Sequence, residues 1–467
     1  LIFRLYFAFS TSGFSGDESY FHLRIIDYIA EHKLPMFYDS LSYGGKVIYY
    51  PQLFHILLAI FSFIPYALKI IPALVSAGLV VIVYLIAKKI TNNDNSSLLT
   101  AFLAAFIPIE IKNSLNQISI YSFIITVMLI LYLCLINLEN KKYFNLFLIL
   151  SFLLPLIHPI SFLFTFSLIF YLILSNTESL YISKYRREAI IFSFFLILLI
   201  NFLIYKNLFL QYGMNIIWQN IPESLFQIYF KNLNVLEIIY LIGALPIILG
   251  GLGIFLGLHK EKDDPIILLA AAMLATLFLL SIKILTLEIG VLFLTIFLVI
   301  TSSLSISKIY NYLDLTKFSY FKKYATSILI LLIIGLALVP SYFVAKSLPN
   351  YSEEIKTFQW IKGNTEENAT ILVPLELGNT LTSVSERKNV LDSNFLLARN
   401  TQERYGDVNR VYNTFSKIIA LESLRKYNAK YIYIGDYVKD KYNITKLRYL
   451  DKKCFEEIKN DVYKVVC

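Results

Sequence analysis

Apolar segments follow one another through the first three quarters of this chain, at roughly 70–88, 97–110, 118–138, 143–158, 160–176, 189–205, 237–258, 265–282, 287–306 and 324–345. Each is near the ~20 residues that a helix needs to cross a bilayer core. A water-soluble core does not need so many in succession. Leu1–Phe9 is apolar but too short to span, and reads as the outer end of a truncated first helix rather than a cleaved signal peptide. Counting it, the pattern predicts a polytopic α-helical membrane bundle of about eleven spans. The pair at 143–158 and 160–176 is joined tightly through His158-Pro159, which predicts a turn at one surface.

Charge divides the chain in two. Residues 1–345 carry 22 Lys/Arg and 17 Asp/Glu, whereas residues 346–467 carry 20 and 16 in about a third of that length. The first part has the charge density of lipid-immersed chain and the second that of a soluble domain. The net charge of +9 sits largely in short loops between apolar runs. No basic run interleaves with aromatics, so a nucleic-acid partner is not expected.

Basic residues also give an orientation. Lys88, Lys89, Lys141, Lys142, Lys184, Arg186, Arg187, Lys260, Lys262, Lys308, Lys317, Lys322 and Lys323 fall in one set of loops, and the alternate set holds single residues such as Lys112, Lys206, Lys231 and Lys283. The positive-inside rule places the first set in the cytoplasm. An odd number of spans then puts three parts outside: the loop at 10–69, the loop at 206–236 and the terminal domain at 346–467. Asn350, Asn368 and Asn443 begin Asn-X-Ser/Thr triplets in that domain, compatible with this side. Cys454 and Cys467 lie there too. They could pair in an oxidising exterior or remain free thiols, while Cys134 sits inside an apolar run.

The first outer loop carries the chemistry-bearing residues. Tyr20, Phe21, Leu23, Ile25, Ile26 and Ile29 alternate with His22, Arg24, Asp27, Glu31 and His32 at helical spacing, which predicts a helix lying along the interface. Asp17 and Glu18 open it. Two adjacent carboxylates at a membrane surface suit general-base chemistry or a divalent cation, Mg or Mn. The same pair also suits a helix start, with Asp17 as N-cap and Glu18 as a first-turn acid. His55 follows Tyr49-Tyr50-Pro51. Elsewhere, Glu110 in the second outer loop and Glu223 in the third are further acids that could meet substrate or solvent.

The stretch Gly16-Asp17-Glu18-Ser19-Tyr20-Phe21-His22 resembles the first outer loop of the GT-C superfamily of polyprenyl-phosphate-dependent membrane glycosyltransferases. It is similar above all to the catalytic subunit of archaeal oligosaccharyltransferase, where the loop reads approximately Gly-Asn-Asp-Pro-Tyr-Tyr-His. Glu18 falls on the catalytic Asp and Asp17 on the Asn, while many relatives carry Asp or Asp-Glu here. The resemblance therefore implies Asp17 and Glu18 as the catalytic candidates. His22, His55, Glu110 and Glu223 are the candidates for substrate or metal contacts. Tyr49–His55, Ile71–Leu74, Val83–Lys89 and Phe358–Pro374 resemble further stretches of the family in the same order.

The chain departs from that family at two places. The Trp-Trp-Asp-Tyr-Gly motif is replaced by Pro374-Leu375-Glu376-Leu377-Gly378-Asn379, and the Asp-X-Glu pair of the second loop by a single acid, Glu110. The resemblance thus implies sugar transfer from a polyprenyl (dolichyl) phosphate-linked donor on the outer face, to a lipid-linked glycan or protein acceptor, and argues against asparagine-linked oligosaccharide transfer. The alternative is a non-catalytic GT-C-like scaffold or lipid-linked-sugar binding protein. A transporter ranks below both, because few charges lie deep in the spans. In the terminal domain the pattern predicts a small α/β layer: helix 352–363, strand 369–374, a helical turn 378–385, strand 388–392, one helix over 406–427, strand 430–434, a helix near 446–458 and strand 462–466.

Overall fold

The computed structural model describes residues 1–231, 234–261, 263–316 and 319–467. Lys262 and Lys317, two of the basic residues that set the expected orientation, lie outside these. The chain is a helical bundle followed by an α/β domain. Five helices are long and apolar enough to cross a membrane: Ala67–Thr91, Lys184–Tyr212, Asp264–Ser281, Leu287–Leu315 and Lys322–Lys346. Val235–Ile242 and Pro246–His259 make a sixth if taken together, bent by 81° at their junction. Gly243 at φ +89 and the Pro246 ring lie at that bend, where the helical ladder cannot run through.

The remaining apolar segments form shorter helices. Ile120–Ile136 and Ser161–Thr177 have 17 residues each, Asp94–Ala104 has 11 and Ile2–Phe9 has 8. Seventeen residues reach about 25 Å, a little short of the ~30 Å hydrocarbon core. Five helices, or six with the bent pair, are therefore long and apolar enough to cross among the described residues, and the 17-residue helices fall at the lower edge of the spanning range. Leu287–Leu315 is the central post, packed against Ala67–Thr91, Asp94–Ala104 and Asp264–Ser281 and almost wholly buried.

The first loop folds as expected into a helix, Asp17–His32, followed by a two-stranded ribbon of β1 (Tyr38–Asp39) and β2 (Lys46–Val47), and a second short helix, Leu53–Ala59. The helix cap differs. Gly16, not Asp17, is the N-cap residue, at φ +138, a conformation that suits glycine. Asp17 and Glu18 are then the first two residues of the helix itself.

The terminal domain builds a five-stranded mixed sheet, in the order β4 (Lys388–Asn389), β3 (Thr370–Leu372), β5 (Ala429–Tyr433), β7 (Val462–Val465), β6 (Phe455–Lys459). The β4–β3–β5 half is parallel and the β5–β7–β6 half antiparallel. Helices Ser352–Asn364 and Gly378–Ser385 stand where the sequence places them. Two expected elements differ. The helix over 406–427 is two helices, Thr401–Asn413 and Lys417–Lys426, because Thr414 is extended and its hydroxyl accepts from the Ser416 N–H, closing a turn that competes with the helix. The helix near 446–458 is absent. Phe455–Lys459 pairs with β7 instead, and the helix of this region is Asp436–Tyr442. There, sheet pairing overrides local helical periodicity. Cys454 and Cys467 are joined in a disulfide, and Cys134 is free and buried.

Candidate active site

The helix start at Asp17 is fixed from below by the second loop. Ser15 N–H donates to the Asn116 carbonyl at 2.9 Å, and Ile118 N–H donates to Ser19 Oγ at 3.1 Å. The Asn116 side chain donates in turn to Thr11, Ser15 and the Gly13 carbonyl. The turn bearing the two acids is thus tied into the bundle before either acid makes a contact.

The two acids then part. Asp17 is buried against the terminal domain. One carboxylate oxygen accepts from Thr380 N–H at 2.7 Å and Thr380 Oγ1 at 2.8 Å, and the other from Asn379 Nδ2 at 2.8 Å and Asn379 N–H at 3.3 Å. These donors lie at the start of the Gly378–Ser385 helix, where N–H groups have no intrahelical partner. Burial raises the Asp17 carboxyl to about 7, against the lowering effect of these donors.

Glu18 keeps a side chain 60% exposed, with His22 beside it. Its Oε1 is 3.8 Å from His22 Nε2. Desolvation pushes its carboxyl up, but the nearby His22 and His158 outweigh it, so the group lies below its ordinary value. His22 Nδ1 and His55 Nε2 share a hydrogen bond of 2.9 Å, and the other nitrogens, His22 Nε2 and His55 Nδ1, are buried without a partner. Burial and the neighbouring rings hold His55 well below the usual histidine range. His158 is lowered to about 4, by burial first and with His22 adding to it, against the pull of Glu18. Its Nδ1 accepts from the Ile160 N–H, and its ring meets Tyr121 edge-on at 5.6 Å.

The structure therefore brings Glu18, His22 and His55 together and adds His158, which the sequence reading treats as a turn residue. It does not bring Glu110 there. Glu110 is buried in an ion pair with Arg4, and Ser114 Oγ donates to it at 2.8 Å. Glu223 stands exposed at the start of the Glu223–Lys231 helix. Glu288 pairs with Lys112 at 3.2 Å.

Around this site the first loop is clasped to the terminal domain. Ser42 Oγ donates to Asp392, Tyr43 N–H to Asn389 Oδ1 at 2.8 Å, Tyr43 OH to the Asp392 carbonyl at 2.6 Å, and Lys46 Nζ to the Asn394 carbonyl at 2.7 Å. Arg24 and Asp39, both buried, bond at 2.6 Å beneath these contacts.

Of the two acids expected to hold Mg or Mn, Glu18 alone keeps an accessible carboxylate. Such ions take oxygen ligands, and the Asp17 carboxylate is taken up by four protein donors. Among the described residues, no group of three His, Cys, Asp or Glu side chains is placed to hold a metal ion.

No family model and no curated protein matches the sequence. Solved structures do match in fold. The oligosaccharyltransferase AglB from Archaeoglobus fulgidus, in complex with an inhibitory peptide and a dolichol-phosphate, aligns with a TM-score of 0.65 at 15% identity, over 90% of this chain and 66% of that one. A complex of the Archaeoglobus fulgidus oligosaccharyltransferase with Zn and sulfate aligns at 0.59 and 14%, over 90% and 64%. ArnT from Cupriavidus metallidurans, bound to undecaprenyl phosphate, aligns at 0.56 and 8%, over 99% and 96%. The chain thus spans slightly under two thirds of the length of the oligosaccharyltransferases. At these identities the likeness is one of fold.

Proposed function

We propose that this chain is a membrane glycosyltransferase that moves a sugar from a polyprenyl (dolichyl) phosphate-linked donor to an acceptor hydroxyl of a lipid-linked glycan or protein, with Glu18 as general base. The carrying observation is that Glu18 is an accessible carboxylate, 3.8 Å from the buried His22, at the loop position that resembles the family's catalytic acid. Glu18 takes the acceptor proton as the acceptor oxygen bonds to the anomeric carbon. The bond from that carbon to the phosphate oxygen breaks, and polyprenyl phosphate leaves with the electron pair. A base so placed contributes about 10²–10⁴-fold. His22 and His55 are suited to hydrogen-bond the phosphate, and no step is routed through a divalent cation. The dolichol-phosphate and undecaprenyl phosphate of the two neighbours support a polyprenyl-phosphate donor. Glu110, bound to Arg4, and Glu223 are outside this chemistry.

The reaction is assigned to the outer face of the membrane, with residues 346–467 extracytoplasmic. The Cys454–Cys467 disulfide supports that side, since such bonds persist in oxidising surroundings. A non-catalytic sugar-lipid binder is the second reading, favoured by the engagement of Asp17 elsewhere. The deciding experiment incubates the purified protein in nanodiscs with radiolabelled dolichyl-phosphate sugars and candidate acceptors. Transfer that falls at least about 100-fold in Glu18→Gln supports the enzyme. Donor binding without transfer under any acceptor supports the binder, and full transfer in Glu18→Gln removes Glu18 as the base.

A further inference from the structure

We infer that Asp17 is a positioning residue, latched by Asn379 and Thr380, and that through it the terminal domain sets the geometry of Glu18. The inference rests on the reading of Glu18 as the base, but its structural half stands without that reading.

Three observations carry it. First, the Asp17 carboxylate is saturated: two donors on each oxygen, all from two consecutive residues of the terminal domain. A group with a carboxyl near 7 has the acidity of a base, but a base must reach the proton it takes, and Asp17 is only 8% exposed. Second, Asp17 and Glu18 are consecutive in the first helical turn, with Cα atoms about 3.8 Å apart. Whatever fixes one backbone fixes the other. Third, the donor helix cannot drift. A Cβ on Gly378 would come within 2.3 Å of the Leu391 carbonyl oxygen, so the helix start is pressed against the 391–392 backbone. That segment is itself tied to the first loop through Ser42, Tyr43 and Lys46. Asn379 Nδ2 also donates to Ser393 Oγ at 3.0 Å, which fixes its side chain from behind. Latch and clasp close a ring through both parts of the chain.

The geometry makes an unusual test possible. In Asp17→Asn, one atom of the new amide still accepts from Thr380, but its NH2 faces the two Asn379 donors. The reciprocal pair Asp17→Asn/Asn379→Asp restores the shorter of these two contacts with donor and acceptor exchanged: the amide introduced at position 17 donates to the carboxylate introduced at position 379, which also accepts from Ser393 and sits at a helix N-terminus that favours negative charge. The amides of Phe21 and His22 report on the turn, since their helical acceptors are the carbonyls of Asp17 and Glu18.

The full-length protein in nanodiscs is compared by hydrogen exchange and by transfer from a dolichyl-phosphate sugar. In Asp17→Asn and in Asn379→Ala/Thr380→Val, exchange at Phe21 and His22 rises about tenfold or more. Transfer kcat falls about 10–100-fold while donor KM stays within about twofold, as expected for a misplaced base. The reciprocal pair recovers both, and Glu18→Gln leaves the exchange unchanged. Wild-type exchange in the latch variants overturns the latch. If Asp17→Asn abolishes transfer and the reciprocal pair restores exchange but not transfer, Asp17 is itself the base and the inference fails. Full transfer in Glu18→Gln with raised exchange in the latch variants retains the latch and removes only the base assignment.

Discussion

His22 Nδ1 and His55 Nε2 lie 2.9 Å apart although 33 positions separate them, so the first loop folds back on itself one helical turn from Glu18. One ring must lend a lone pair to the other. The third ring, His158, arrives from the turn between two bundle helices, and its Nδ1 already accepts a backbone N–H. Burial holds two of these rings, His55 and His158, below the ordinary histidine value.

The lowering at His158 has a pH signature. The usual histidine value is 6.5, and His158 is lowered to about 4 in the fold. Between those values the unfolded chain binds a proton that the native chain refuses. Stability therefore falls as pH drops through this window. His158→Gln removes one such group, so its loss of thermal stability from about pH 6.5 to about pH 4.5 should be shallower than the wild-type loss. Thermal unfolding in detergent across that range measures it. Equal slopes would mean that His158 titrates normally.

Asp17 runs in the opposite direction. Its carboxyl is raised from 3.8 to about 7, chiefly by burial. Between those values the native chain keeps a proton that the unfolded chain has released, so this group's contribution declines as pH rises through the window and is level above it. The melting-temperature difference, wild type minus Asp17→Asn, is expected to shrink from about pH 5 to about pH 8. A difference that grows over that interval would show that the four donors outweigh burial.

Glu110 should prove structural. It is paired with Arg4 inside the bundle, with both side chains almost inaccessible. Removing one partner of such a pair strands a charge and costs about 3–5 kcal/mol, whereas apolar replacement of both is often nearly neutral. Glu110→Ala is expected to lower stability by that amount, and Arg4→Met/Glu110→Leu to regain most of it. A Glu110→Gln variant that keeps its stability but loses transfer would instead place Glu110 in the chemistry.

The Cys454–Cys467 bond closes a short loop at the end of the sheet, 13 residues apart. Chain entropy assigns such a closure about 3 kcal/mol. Cys454→Ser/Cys467→Ser should make β6 and the residues that follow it more sensitive to protease, with the bundle unaffected. Unchanged proteolysis after reduction would show that pairing of β6 with β7 alone holds this end.

Local pattern carried much of this fold. Apolar runs located the bundle helices, and helical spacing located Asp17–His32, because both signals need only neighbours in sequence. The Thr414 break and strand β6 escaped, since each is decided by a side chain or partner strand that periodicity does not see. Glu18, His22 and His55 were legible through adjacency and resemblance. His158 was visible only as half of a His-Pro turn, and nothing in the sequence tied it to Glu18. The separation of Asp17 from Glu18 was hidden for the same reason. Adjacent acids look equivalent until the donors on Asn379 and Thr380 are placed.

The latch spans 363 positions from Asp17 to Thr380. A chain is made from its N-terminus, and the residues that complete the first loop are among the later ones to emerge. The nascent protein therefore carries Asp17 and Glu18 to the membrane long before the donors on Asn379 and Thr380 are made. A chain stopped short in synthesis bears both acids with the Asp17 carboxylate stripped of its four donors.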